Sequence, residues 1–336
     1  MVTLPAYSLT ADLLNYVRCP YQYRLFTRTG IRESRPVQRW YGQFLHRGMR
    51  MAYTAWRDAG THPQEFVWRE SSEEDPFTDM VQTVTKSLAA EGIYRPGNLG
   101  DIAEKRLLRA IRLLGPGLFP LIKEAEVRLD GVRTYSGSED LYQVTGVVDV
   151  LAAAPFSTYE EGENAIVDGM RRVMSLEGVV TDAEVIVDYK GISKQDRSAM
   201  LEVGRRQLLT YSWLRNHSVG ERRVAGGILI FVNDLLEPEG DPTEDLNEPD
   251  LVELLLEASD VVDWTEELET DALDFFDTTV RDIETRLASE RGQPLVATWE
   301  PRAERKTCSA CDGRWHCPGS DFDSGAKTRP VAPSAP

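Results

Sequence analysis

The chain has little cysteine and little histidine, four of each in 336 residues. It has no run of eighteen or more uncharged apolar residues, so no membrane span is expected. Its start, MVTLPAYSLTADLL, lacks a basic stretch leading into an apolar one, which sets a cytoplasmic location as the expectation. It lacks the G-x4-G-K-[ST] pattern, which excludes a P-loop ATPase of its own. Cations are outnumbered, 38 Lys and Arg against 55 Asp and Glu, for a net charge of −17. Such a balance argues against a protein that coats nucleic acid indiscriminately. No internal repeat is visible.

What charge there is lies unevenly. Residues 1–50 carry eight Arg and only two acids, Asp12 and Glu33, whereas residues 233–290 carry 21 acids against Arg281 and Arg286. Phosphate contact is a local matter, because screening limits electrostatic reach to about 8–10 Å. The basic N-terminal segment can therefore face nucleic acid while the acidic one faces solvent or a basic partner; two differently charged solvated surfaces are the plainer alternative. The cysteines are uneven too. Cys19 stands alone, and Cys308, Cys311 and Cys317 form C-x2-C-x5-C. In a chain of this kind that triplet reads as a metal or cluster site before it reads as disulfides.

An apolar fraction of 41% and seven Trp provide for a sizeable core, in one large domain or two ordinary ones. Thr10 can cap a helix running to about Val17. Residues 38–58, 76–91 and 101–114 show apolar residues at helical spacing. The texture then changes: 124–130 alternates as a half-buried strand does, and Leu141–Ala152 and Glu184–Tyr189 are β-branched runs bounded by turn signals. Residues 198–216 return to helical spacing, and Val224–Val232 is a continuous apolar run suited to a buried strand. Strand, strand, strand, helix, strand gives an α/β core. The segment 155–182 reads as an insertion with a short helical stretch near 165–176, 234–248 as an exposed loop, and 249–290 as one or two acidic helices.

Two of these strands end in acids. Asp149 closes GVVD, and Asp188-Tyr189-Lys190 closes VIVDYK. Side chains two apart on a strand share a face, so Asp188 and Lys190 project together while Tyr189 turns away. Asp149 on a neighbouring strand completes the cluster. Close carboxylates repel one another, and a hard divalent cation such as Mg²⁺ or Mn²⁺ relieves this. Taken alone, D-x-K at a strand end is an ordinary surface pair, and His46 in GQFLHRGM an ordinary structural histidine. Gln207 and Tyr211, four apart on the next helix, share a face and can bond the lysine or a substrate.

In this order the set resembles the RecB-family branch of the PD-(D/E)XK nucleases, which carries an upstream helical His, a G-x-x-D strand, a D-x-K strand and a Q-x-x-x-Y helix. The matching positions are His46, Gly146-Val-Val-Asp149, Asp188-Tyr-Lys190 and Gln207-Leu-Leu-Thr-Tyr211. The resemblance implies a PD-(D/E)XK restriction-endonuclease-like α/β core. It further implies that His46, Asp149 and Asp188 bind Mg²⁺ or Mn²⁺, with the backbone carbonyl of Tyr189 close by. Lys190 is then catalytic, and Gln207 and Tyr211 assist positioning. Glu126, ahead of the G-x-x-D strand, adds a weaker candidate carboxylate. One departure is the 39 positions separating Asp149 from Asp188, which the insertion absorbs; Asp168 and Asp182 are the alternative acids.

The cysteine pattern resembles the iron–sulfur subset of that family, the AddB nuclease domain and the CRISPR-associated RecB-like exonucleases, and so implies a [4Fe–4S] cluster held by Cys19, Cys308, Cys311 and Cys317. Zinc on the four cysteines, or with His316 replacing one, is the alternative. The implied activity is hydrolysis of DNA, by an exonuclease favouring single strands or free ends, in DNA repair or anti-phage defence. A separate helicase or CRISPR adaptation protein is the implied partner. The competing reading is a cluster-stabilised DNA-binding or assembly subunit with little cleavage. The expected division is a helical region 1–120, a nuclease core 121–232, an acidic segment 233–300, a cysteine segment 301–322 and a disordered tail 323–336, all in one compact unit.

Overall fold

Runs of Val, Ile and Leu flanked by turn residues make the strands, and their pairing gives one mixed sheet. The computed structural model describes residues 4–29, 31, 36–59, 76–135, 137, 139–154, 158–174, 183–194, 198–237, 239–293, 295–302, 308, 311–315, 317 and 319. Asp182, His316 and the tail after residue 322 lie outside them. The chain falls into two compact units, one made of Met1–Leu9 with Pro36–Thr278 and the other of Thr10–Arg35 with Thr279–Pro336. No helix among the described residues is long and apolar enough to cross a membrane.

The first unit holds the sheet: β1 (Ala6–Ser8), β2 (Ile122–Thr134), β3 (Leu141–Ala153), β4 (Glu184–Lys190), β5 (Val224–Phe231) and β6 (Ser259–Asp263). The order is β1-β3-β4-β5-β6, with β2 also on β3. Along one edge β3 pairs antiparallel with β2. Along the other it pairs with β1 at Gln143–Thr145 and with β4 at Val150–Ala153. Between those two partners lies Gly146-Val147-Val148-Asp149. Strand β5 runs parallel to β4 and antiparallel to β6. It is buried along nearly its whole length, as its unbroken apolar run requires.

Helices of two turns or more are α1 (Pro36–Ala59), α2 (Pro76–Ala90), α3 (Gly97–Leu118), α4 (Ala165–Val173), α5 (Ser198–Val219), α6 (Glu248–Glu257) and α7 (Glu266–Ser289). Trp40, Phe44, Leu45, Met49 and Tyr53 of α1 pack with α2, α3 and the Val150, Ala152, Val185 and Val187 side of the sheet. Each fully buried apolar side chain of this size contributes about 1.5–3 kcal/mol. Asn164 caps α4 by accepting from the Ile166 and Val167 N–H groups, and Asn247 caps α6 through Asp250 N–H. The short helix foreseen inside 155–182 is therefore α4.

Two local outcomes differ from expectation and a third adds to one. Strand β1 is only three residues and gives no periodic signal. Strand β6 lies inside the acidic stretch read as helical, where Ser-Asp-Val-Val-Asp is too short and too charged to stand out. The 234–248 loop is tied down by Arg109 of α3, a buried side chain that donates to the carbonyls of Leu235 (3.3 Å) and Glu244.

The second unit begins at Thr10, inside a wide turn, Leu9–Leu13, that runs into the helix Leu14–Arg18. Tyr16, Tyr23 and the fully buried Trp299 form its aromatic centre, with ring centroids 5.6–6.1 Å apart. Arg24 clasps the Glu290 carboxylate at 2.8 and 2.5 Å.

Candidate active site

The end of the β3–β4 ladder builds the site. The last antiparallel pair is Val150↔Val187, and one step further on in the same register stands Asp149 against Asp188. No backbone pair is made there; the Tyr189 N–H donates instead to Asp149 Oδ2 at 2.9 Å. On the other side of β3, Ala125↔Val150 and Val127↔Val148 bracket the position where Glu126 faces Asp149. Three carboxylates thus occupy one level across β2, β3 and β4. Glu126 alone among the described non-glycine residues has a positive φ, 56°. A left-handed backbone at such a residue costs about 1–3 kcal/mol and persists only where its surroundings impose it.

His46 comes to this row from α1, its Nδ1 2.9 Å from Asp149 Oδ1. Ligand atoms of His46, Glu126 and Asp149 all lie within 4.8 Å of one another. Burial works against the charged imidazole, but Asp149, then Asp188, outweigh it and the pKa is pushed up to about 9. Burial pushes the Glu126 carboxyl up, and Asp149 adds to this. Asp188 is buried and its carboxyl is likewise pushed up by burial, against the pull of Lys190. Lys190 Nζ lies 2.5 Å from Asp188 Oδ2, yet that oxygen has no well-formed hydrogen bond.

A relay continues from the lysine. Lys190 Nζ donates to Gln207 Oε1 at 3.0 Å, and Gln207 Nε2 donates to Tyr211 Oη at 3.0 Å. The Val147 backbone lies within electrostatic reach of Tyr211 Oη. Gly146 makes room for that ring: a Cβ there would meet Tyr211 Cε1 at 2.3 Å. The glycine of G-x-x-D is thus fixed by a helix 65 positions further along the chain.

The structure brings His46, Asp149, Asp188, Lys190, Gln207 and Tyr211 into one connected set. Glu126, the weaker sequence candidate, joins them; its strained backbone has no sequence signal. Asp168 lies elsewhere, holding Arg171 at 2.7 Å and the Gly162 N–H at 2.9 Å. The donor set is imidazole nitrogen and carboxylate oxygens around a poorly satisfied buried acid, which suits a hard divalent cation.

The four cysteines belong to the second unit, Cys19 buried and the others half-buried, and none is in a disulfide. Tyr21 lies within electrostatic reach of Cys317, Cys311 and Cys19 at once; burial first, then these thiols, raise its pKa. Among the described residues, no three sulfurs lie within 4.8 Å of one another.

Residues 10–168 match the model of the PD-(D/E)XK nuclease superfamily. The matched stretch contains His46, Glu126 and Asp149 and stops short of Asp188. No curated protein matches the chain. Among solved structures, SSO0001 is similar at 15% identity and a TM-score of 0.38, covering 95% of this chain and 89% of that one. A protein from Eubacterium rectale is similar at 12% identity and a TM-score of 0.41, covering 97% of this chain and 90% of that one. Both scores lie under 0.5, so neither likeness bears on fold or chemistry.

Proposed function

We propose that this chain is a divalent-metal-dependent deoxyribonuclease of the RecB-like kind that trims DNA from free or single-stranded ends. The observation that carries the reading is the row Glu126–Asp149–Asp188, met by His46 on one side and Lys190 on the other. His46, Glu126, Asp149 and Asp188 are the residues to hold Mg²⁺ or Mn²⁺, with the Tyr189 carbonyl beside them. When bound, such an ion polarises the scissile phosphate and lowers the pKa of a bound water. Lys190 presents a fixed positive charge for the negative charge that grows on the phosphate, and Gln207 and Tyr211 fix its direction. The match over residues 10–168 supports nuclease chemistry; the exonuclease mode, DNA repair or defence as the setting, and a separate helicase or CRISPR adaptation partner extend the resemblance in the sequence.

The same proposal gives Cys19, Cys308, Cys311 and Cys317 a [4Fe–4S] cluster as a structural tie. Three of these sulfurs lie within electrostatic reach of one tyrosine, Tyr21, and thiolates are the ligands that hold such clusters. Anaerobically purified protein should be brown and absorb near 400 nm; a colourless protein with stoichiometric zinc overturns the assignment.

The test of the activity is end-labelled single- and double-stranded DNA with Mn²⁺. Wild type should shorten it, and Asp188→Ala and Lys190→Ala should each lose on the order of 10²–10³-fold. Cleavage that survives both substitutions sinks the site. A wild type that binds DNA without cutting it favours the assembly-subunit alternative.

A further inference from the structure

Helix α1 carries two arginines beside the acid row, and they are held differently. Arg47 is fully engaged, donating to Glu91 at 2.7 and 2.9 Å and to Ser87 at 3.0 Å. Arg50 is exposed, and among the described residues its guanidinium has no carboxylate within 4.0 Å and no hydrogen bond. It nevertheless lines the same cleft as His46, Glu126 and Asp149, together with Met49 and Tyr53. It is one helical turn beyond His46, a rise of about 6 Å. It is also within electrostatic reach of Glu126.

This combination is unusual in the chain, where arginines are commonly tied to acids, as Arg95, Arg133, Arg205 and Arg215 are. With 55 acidic residues present, a guanidinium at the mouth of an acidic cleft without a carboxylate partner is available to another anion. The cleft's own acids are directed to a cation, and a phosphodiester next to that cation is an anion with two oxygens to offer. Arginine's planar fork matches such a group. We propose that Arg50 is a phosphate-binding residue: it grips the nucleic-acid backbone one phosphate away from the acid row and so fixes how the strand crosses it. This rests on the nuclease reading above.

The test uses the full chain with Mn²⁺ and a single-stranded oligonucleotide. Turnover is compared for wild type, Arg50→Ala, Arg50→Lys and, as a remote control, Arg223→Ala, whose guanidinium pairs with Glu221 on the surface. Binding is measured between 50 and 200 mM salt on a Lys190→Ala background. Arg50→Ala should raise KM about tenfold, with a smaller fall in kcat, and should reduce the slope of log affinity against log salt by about 0.7, the value for one phosphate on a single strand. Arg50→Lys should keep the salt slope and recover only part of the KM, because it keeps the charge and loses the fork. Arg223→Ala should change neither. An Arg50→Ala protein with wild-type KM and salt slope, in a wild type that cleaves, overturns the Arg50 assignment alone. A wild type that neither binds nor cleaves overturns the nuclease reading and this inference with it.

Discussion

Glu184 and Asp188 stand four residues apart on β4 and are almost equally buried, at 1% and 3% exposure. Their surroundings differ sharply. Glu184 is clasped by Arg215 at 2.8 and 3.0 Å, with Lys123 at 3.4 Å. Burial alone would raise its pKa, but those cations outweigh burial and hold the carboxyl below its usual range. Asp188 faces a second carboxylate, has Lys190 at contact distance and His46 only within electrostatic reach, keeps an oxygen without a good hydrogen bond, and is pushed up. One end of the strand is a satisfied structural ion pair. The other is a charge left short of partners, which is the condition that a bound cation relieves. The contrast separates a buried carboxylate that holds the fold from one kept for chemistry, and stability measurements can sharpen or break it.

The largest expected effect falls on the satisfied end. Glu184→Ala leaves Arg215 with only the more exposed Glu124 at 3.3 Å and should cost about 3 kcal/mol, read as a lower urea midpoint, because breaking a buried pair costs more than the pair contributes. Asp188→Asn, nearly the same shape, should leave metal-free stability unchanged or raised while abolishing cleavage. Equal losses from both substitutions would erase the distinction.

His46 comes next. Its pKa is raised to about 9 from 6.5. A raised folded-state value means that its ion pair with Asp149 stabilises the metal-free protein fully below pH 6.5 and is lost as pH rises through 9. The melting temperature without metal should therefore fall across that window, and His46→Gln should flatten the fall. A profile that keeps its slope in the variant assigns the pH dependence to other groups.

Gly146→Ala should be smaller, about 1–3 kcal/mol, since the new methyl displaces the Tyr211 ring. Its telling readout is activity, which should fall with the loss of the Lys190–Gln207–Tyr211 relay, and Tyr211→Phe should reproduce part of that fall without the stability cost. Smallest is Glu126→Gly, expected to stabilise the metal-free protein by about 1 kcal/mol by relieving the left-handed backbone at φ 56°, while weakening Mn²⁺ binding measured by calorimetry. A variant that loses stability would mean that the Glu126 side chain, not the cleft, holds the backbone.

Much of this was legible beforehand. The runs GVVD and EVIVDYK announce strands that end in acids, because β-branched residues bounded by turn signals have few other uses. The four-residue spacing of Gln207 and Tyr211 announces a shared helix face, and the structure joins them at 3.0 Å. Strands β1 and β6 were not legible: both are short edge strands whose pairing comes from distant β3 and β5, and β6 is masked by acids. Arg50 was not legible either, since one arginine among eight in the first fifty residues carries no mark of being the one beside the cleft.

The sequence by itself determined the elements and the identity of the reactive groups, because strand and helix periods and the chemistry of Asp, His and Lys are local properties. Only the tertiary structure decided the rest: that Glu126, Asp149 and Asp188 share one level, that β3 and β4 part where the acids begin, that Gly146 yields to Tyr211, and that Arg47 is occupied while Arg50 is not. Each of those is a relation between residues far apart in the chain. The free energy that fixes it comes from packing and partner geometry, which no local pattern encodes.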